Sequence, residues 1–399
     1  MTTQNLVKQE QASIFRNLGL ILRILFGAVF VFSGFVKAID PLGTAYKMQD
    51  YLHAMGFMQF DNLALAGSIL MLAFEFTIGL TLVSGIKMKL FSWCALLFML
   101  AMTPLTFWIW MKNPVTDCGC FGDFLIISNS ATFWKNIVLL AIIITIIYCE
   151  KYHRPFLSPL PSWLVSASFF MFSVCISIYC LAHLPMFDFR PFKIGKNIPE
   201  QMIIPEGKPH DEYKTFFIYK NKKSGEKKEF SLNNLPYIDT ISWKIDTVNW
   251  EYIDQKTEVK KGYEPPIHDF MIESQDYGDI TDEVLSDTNF VFLFVMYDLK
   301  KTCARRLNEL NTLYSKLNGK GLRVMALTSS IEDEIAEFRA EYGAEYPFFF
   351  TDATALKTAI RANPGVIVIK SGTVIDKWNA NDTKKAFKKF AKKQNLVIE

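Results

Sequence analysis

Five stretches of this chain are long and apolar enough to cross a lipid bilayer. They are residues 18–36, 62–84, 90–111, 132–148 and 163–183. A span needs about 20 mostly apolar residues, because a helix is the one isolated segment that satisfies its own backbone hydrogen bonds in lipid. No small-residue cleavage site follows the first run, so it reads as a retained helix and not a removed leader. All five fall in the first half of a 399-residue chain, and from Asp188 onward Lys, Glu, Asp and Asn dominate. The hydrophobic fraction of 50% therefore averages two unlike halves. The net charge of +3 is too small to suggest a nucleic-acid partner. The partner that composition does imply is the bilayer.

Basic residues flanking the spans suggest an orientation, since cytoplasmic loops carry an excess of Lys and Arg. Lys8, Arg16, Lys87, Lys89, Lys151 and Arg154 fall on one side, and Lys37, Lys47, Lys112 and Lys135 on the other. That bias predicts a cytoplasmic N-terminus. With five spans the C-terminal half lies outside, in the periplasm of a cell with an inner membrane, together with the loop between the third and fourth spans.

Within the spans, Arg23 and Glu75 are the charges that need partners. Counting ~1.5 Å per residue puts them within about 6 Å of one depth. The spacing predicts either an Arg23–Glu75 ion pair or, since intramembrane carboxylates are often functional, a proton or quinone-headgroup site.

Of seven cysteines, Cys94, Cys149, Cys175 and Cys180 lie in or beside apolar helices, where cysteine serves as a small hydrophobe. Cys118, Cys120 and Cys303 lie outside them, and the predicted topology gathers all three on the outer side, where disulfides persist. Cys118-Gly119-Cys120 closes into a disulfide only through a tight bend, which glycine permits. Such a small ring is strained and easily reduced, which favours exchange over stapling. A structural disulfide, unpaired turn cysteines or a metal site remain alternatives, although no second Cys or His pair completes four ligands. The flanking Asp117 and Asp123 are expected to raise the thiol pKa values.

Past the last span, residues 214–219 and 227–232 read as a hairpin around Asn221 to Gly225. From Pro265 strands and helices alternate: a buried strand at 289–297, a helix from about Cys303 to Leu317, a strand at 322–328, a helix at 331–342, strands near Phe348 and at 366–369, and a basic amphipathic last helix carrying Lys384, Lys385, Lys388 and Lys389.

Two family resemblances add to this reading. Arg23-Ile24-Leu25-Phe26-Gly27 through Ser33-Gly34-Phe35-Val36-Lys37-Ala38-Ile39-Asp40-Pro41, then Glu75-Phe76-Thr77-Ile78-Gly79, then Asp117-Cys118-Gly119-Cys120-Phe121-Gly122-Asp123 resemble, in order, the DoxX and MauE-like membrane proteins. The likeness covers about residues 15–150. It implies a four-helix bundle associated with redox maturation of exported proteins, as MauE is with methylamine dehydrogenase assembly. Residues 265–399 resemble the thioredoxin-like domain of membrane-anchored (TlpA-type) thiol–disulfide oxidoreductases, with Asn363-Pro364-Gly365 where that family has its cis-proline. The departure is in the C-x-x-C site: Cys303 occupies its second position and Lys300 the first, so the attacking thiol is missing.

Together these readings predict a multi-domain chain. Residues 1–155 form a four-helix membrane domain, 156–187 a fifth transmembrane helix and exit segment, 188–263 a β-rich extracytoplasmic module, and 264–399 an α/β thioredoxin-like domain. The expected function is thiol–disulfide redox work or maturation of an exported client protein. Cys118, Cys120 and Cys303 are the candidate catalytic residues, Lys300 and Pro364 their neighbours, and Arg23 and Glu75 the intramembrane polar pair. A quinone or a membrane redox partner is the expected electron source or sink. The competing expectation is a non-enzymatic assembly factor with a degenerate thioredoxin-like domain.

Overall fold

The computed structural model describes residues 3–115, 117–152, 158–237, 244–260 and 262–396. Arg154 and the boundary near residue 155 lie outside these, as does the side chain of Lys8.

The chain opens with α1 (Thr3–Ile39), followed by the short α2 (Pro41–Ala54), α3 (Asp61–Ser84), α4 (Met88–Lys112), α5 (Asn129–Cys149) and α6 (Pro159–Ala182). Five of these are long and apolar enough to span a bilayer, which makes this a multi-pass membrane protein. Their outward side chains, such as Ile24, Leu97, Val138 and Leu164, are exposed, as lipid-facing residues are.

Small residues set how the spans meet. A Cβ added at Gly34 would come within 2.8 Å of the Phe76 backbone nitrogen, and one at Gly79 within 2.6 Å of that of Val31. Glycine there lets α1 and α3 touch backbone to backbone, the way membrane helices associate without a hydrophobic driving force. α4 packs mainly along α5. Phe26, Phe30, Ile78, Leu82, Met99 and Ile143 join the two pairs in one buried cluster. α6 turns Ser162, Ser166, Ser173 and Ser177 inward and rests Phe170 and Val174 on Ala38 and Leu72.

α2 is amphipathic, begins at an Asp40 cap with proline in its first turn, and is too short to span. It had no counterpart in the sequence reading.

Residues 197–269 form a compact unit of their own. It holds a short helix α7 (Ile198–Met202) and an antiparallel sheet in the order β2-β1-β3, with β1 at Glu212–Asn221, β2 at Lys227–Ser231 and β3 at Trp250–Lys260. The hairpin turns at Gly225 (φ 74°), and Tyr219, Phe230 and Trp250 stack edge-on inside it.

The rest of the chain alternates β4 (Glu273–Ser274), β5 (Gly278–Asp279), α8 (Thr281–Ser286), β6 (Val291–Val295), α9 (Leu307–Asn318), β7 (Arg323–Thr328), α10 (Glu332–Tyr342), β8 (Phe348–Phe350), α11 (Ala353–Ala359), β9 (Gly365–Lys370), β10 (Thr373–Asn379) and α12 (Thr383–Lys393). The sheet order is β10-β9-β6-β7-β8-β4-β5, parallel through β6, β7 and β8 and antiparallel at β9 and β10. That order, with α9, α10 and α12 burying Phe292, Phe294, Leu310, Tyr346 and Phe390 on one face, is thioredoxin-like. The Asn363–Pro364 peptide is cis. β6 is buried at every position, as a central strand covered on both faces must be.

Candidate functional site

Chain parity puts α2, the loop between α4 and α5, and the exit from α6 at one end of the bundle, and the thioredoxin-like fold sits against that end. The α4–α5 loop is tied at its base. Asn113 ends α4 in a left-handed conformation, and the Asn129 side-chain amide donates to Asn113 Oδ1 at 2.9 Å and to the Val115 carbonyl at 3.0 Å.

Between these points Gly119 takes φ 64°, the bend that brings Cys118 and Cys120 to the same side. Their sulfurs lie 3.0 Å apart as free thiols. Three outside groups hold the loop. The Tyr51 hydroxyl donates to the Cys118 carbonyl, Ser33 Oγ to the Cys120 carbonyl at 2.6 Å, and Lys47 Nζ to Asp117 Oδ2 at 2.8 Å.

The two thiols are not equivalent. The hydrogen bond from Cys118 lowers the Cys120 pKa to about 6; burial opposes this, while the ammonium groups of Lys135 and Lys37 assist. Cys118, as the donor in that bond and also buried, is pushed far above the usual thiol range. Burial, then Cys118, raises Tyr51, so its hydroxyl remains a donor. The flanking carboxylates each meet a cation. Asp117 faces Lys47, and Asp123 meets Arg361 Nη2 at 3.0 Å, so each negative charge is already countered.

Below the loop lies a cavity of about 380 Å³ between the α1–α3 and α4–α5 pairs. Its wall is apolar, with Val29, Phe30, Met71, Met99, Met102 and Leu139. Its upper end carries Cys118, Cys120, Tyr51, Lys37 and Glu75.

Here the sequence expectation is corrected. Glu75 pairs with Lys37, Nζ to Oε2 at 2.8 Å, and not with Arg23. The glycine contacts fix the antiparallel register so that Glu75 lies level with residue 35, near the C-terminal end of α1. Arg23 lies at the other end of the bundle, in a recess with Arg16, Ser84 and Glu150. Counting depth from assumed span ends missed this, because α3 begins beyond the end of α1.

The thioredoxin-like fold contributes the opposite face. The Cys303 backbone nitrogen donates to the Asn363 carbonyl at 3.2 Å, next to the cis Pro364, and Thr302 Oγ1 meets Asn363 Oδ1 at 3.2 Å. Cys303 is exposed. It caps a single 3₁₀ turn, Ala304–Arg306; α9 begins only at Leu307, so Cys303 is not at the α-helix N-terminus the sequence suggested. Lys300 points away into an ion pair with Glu334 at 2.7 Å.

Arg361, three residues before Pro364, reaches into the membrane domain. Its Nε donates to both Asp40 carboxylate oxygens, at 3.1 and 2.9 Å, while Nη2 takes Asp123. Although burial raises it, Arg361 and Arg190 hold Asp40 below the usual carboxylate range. Tyr46 on α2 donates to the Tyr297 hydroxyl at 3.1 Å, with Lys357 above both rings. A further contact joins His183 to Asp382 at 2.8 Å.

The structure thus gathers Cys118, Cys120, Glu75 and Lys37 round one cavity. It places Cys303, Lys300 and Pro364 on the domain clamped over it, and leaves Arg23 apart. Sequence reasoning missed Lys37, Tyr51, Asp40 and Arg361. Among the described residues no group of three or more His, Cys, Asp or Glu side chains is arranged to hold a metal ion.

Residues 16–149 match the family described as methylamine utilisation protein MauE, and residues 213–262 one described as a domain of unknown function (DUF8463). The membrane half is therefore MauE-like. No curated protein matches the chain. Among solved structures it is similar to a candidate protein disulfide isomerase of Bacteroides thetaiotaomicron, at 14% identity over 33% of this chain and 86% of that one, with a TM-score of 0.26. It is also similar to a candidate thiol:disulfide interchange protein DsbE of Chlorobium tepidum, at 17% identity, 31% and 92% coverage and a TM-score of 0.27. A third is a bacterioferritin comigratory protein of Xanthomonas campestris, at 11% identity, 32% and 90% coverage and a TM-score of 0.25. The thioredoxin-like assignment rests on the strand order and on the cis-proline, not on these scores.

Proposed function

We propose that this membrane protein catalyses thiol–disulfide exchange with exported proteins, using Cys118 and Cys120 as the exchanging pair and the thioredoxin-like domain to present the client. The observation that carries this reading is the geometry of the pair: two free thiols 3.0 Å apart on a glycine bend, beside the ammonium groups of Lys37 and Lys135 that favour the thiolate of Cys120. A thiolate is the attacking species in exchange, and its partner is in place to resolve the mixed disulfide. The thioredoxin-like domain supplies a cis-proline face and an exposed thiol at Cys303, but Lys300 stands where a second cysteine would be, so it binds without completing a dithiol cycle alone. In this reading the N-terminus is cytoplasmic and all three thiols face the periplasm.

The same substitution at Lys300 favours a second reading, a non-enzymatic assembly factor in which the domain only docks its client.

Trapping thiols in intact cells with a membrane-impermeant maleimide separates the two. Exchange predicts that Cys118 and Cys120 are labelled from outside, exist as a mixture of oxidised and reduced forms, and yield client adducts when Cys118 is replaced by Ser. Permanently reduced thiols, with full client maturation in a Cys118→Ser, Cys120→Ser double variant, would sink the redox reading and leave the assembly one. A pair reachable only after permeabilisation would overturn the topology.

A further inference from the structure

Thiol exchange at the loop gives no reason for the cavity beneath it. At about 380 Å³ it falls in the range of small-molecule sites, roughly 300–1,000 Å³. Its lower wall is aliphatic, aromatic and methionine-rich, while the upper end holds the Lys37–Glu75 ion pair, the Tyr51 hydroxyl and the Cys118–Cys120 loop. Half-buried Met71, Met102 and Leu105 lie on the wall within the spans. Pro104, inside α4 beside two of them, removes one helical hydrogen bond there. Burying an ion pair against an apolar chamber is costly, and intramembrane ionisable groups mark ligand or proton sites more often than they stabilise.

We propose that this cavity binds the ring of a lipid-soluble quinone, which accepts the two electrons released when Cys118 and Cys120 form their disulfide. This rests on the exchange function above and names its electron acceptor. Three features select this occupant. The chamber lies among membrane spans, so its ligand arrives from the lipid. One end offers a hydrogen-bond donor, the Lys37 ammonium, which has protons beyond the one it gives Glu75 and suits a carbonyl oxygen, with no use for an acyl chain. The adjacent donor is a dithiol, which gives up two electrons together, as a quinone takes them.

The step balances. Cys118 and Cys120 lose two electrons and their two thiol protons, the second of these already shed to solvent when Cys120 ionised, and one S–S bond forms. The quinone gains two electrons and two protons, and its two carbonyls become hydroxyls. A client dithiol then reduces the pair again: one client thiolate attacks a sulfur of the disulfide, and the second client thiol resolves the mixed disulfide, leaving the client oxidised.

The test uses the full-length reduced protein in detergent micelles with ubiquinone-1 as the probe. Wild type should form quinol stoichiometrically with the disulfide, read by ultraviolet absorbance and thiol count. The Cys118→Ser, Cys120→Ser variant should bind ubiquinone-1 saturably but form no quinol. Filling the chamber by Leu105→Trp or Met71→Trp should raise the half-saturating quinone concentration about tenfold or more. Oxidation of the pair by the soluble oxidant diamide should stay at the wild-type rate, which shows the variants are folded. Absence of saturable binding to both wild type and the double-serine variant overturns the quinone site, even if the cysteines still exchange with clients in cells. So does labelling of the Met71 and Met102 peptides by a photoreactive phospholipid that ubiquinone-1 does not displace. Saturable binding without any client adduct in cells keeps the site and sinks the exchange function alone.

Discussion

Cys118 and Cys120 divide one proton between them, and the division follows from where the bend puts each sulfur. The bond with Cys118, helped by the ammonium groups of Lys135 and Lys37, lowers the Cys120 pKa to about 6 against the effect of burial, so Cys120 is the thiol expected to ionise first. Alkylation of the reduced protein by iodoacetamide should therefore rise through pH about 6 and map by mass spectrometry to Cys120, with Cys118 unreactive until far higher pH. Cys118→Ala should move the midpoint up toward the ordinary thiol range, because the donated bond is the largest favourable contribution. Two cysteines titrating alike would refute the asymmetry. The sequence announced the pair and the glycine, since Cys-Gly-Cys can be read directly. It did not show which charges surround them. Asp117 and Asp123 are neighbours along the chain, but the lysine and arginine that counter them come from α2 and from residue 361, and no local reading supplies those.

Elements of the membrane half were legible because lipid imposes a length and a composition that few other structures share. Registers between them were not. Glu75 looked level with Arg23 while span ends were the only ruler; Gly27, Gly34 and Gly79 were the better one, because contact between backbones fixes which residues face each other. Shifting the register puts Lys37 opposite Glu75 and thereby builds the upper end of the cavity. Gly79→Val should thus disturb more than packing. The added side chain starts 2.6 Å from the Val31 nitrogen, so α1 and α3 must separate, at about 1–3 kcal/mol. A lowered melting temperature in detergent, absent in a Gly67→Ala control whose new Cβ meets only the flexible Met48 side chain at 3.4 Å, is the expected outcome. An unchanged melting temperature for Gly79→Val would refute the contact. In the C-terminal half, the buried β6 and the helices α9 and α10 were readable from periodicity. α11 and β10 were not: the first is barely two turns, and the second draws its pattern from pairing with β9.

At the scale of the whole molecule, the bundle and the thioredoxin-like fold are joined by several hydrogen bonds and ion pairs, and the buried Arg361 makes those nearest the dithiol loop. It sits three residues before the cis Pro364 and bridges Asp40, at the corner between α1 and α2, to Asp123, just past Cys120. One side chain thus ties the cis-proline loop of the thioredoxin-like domain to both walls of the dithiol site. Nothing in the sequence around Arg361 distinguished it, because its partners lie more than two hundred residues away. Breaking a buried pair by removing one partner strands the other charges and costs about 3–5 kcal/mol. Here that cost falls on the contact between the folds, since each has its own core. Arg361→Met should leave the melting of each core nearly unchanged while backbone amides of the Asp117–Asp123 loop and of α2 exchange hydrogen faster. Client adducts of the Cys118→Ser protein should fall as well, because the presenting face is no longer held over the loop. Arg361→Lys should recover little, as an ammonium cannot reproduce the planar fork that grips two carboxylates at once. If hydrogen exchange in the loop and α2 were unaltered by Arg361→Met, the clamp would not be what holds the two folds in register.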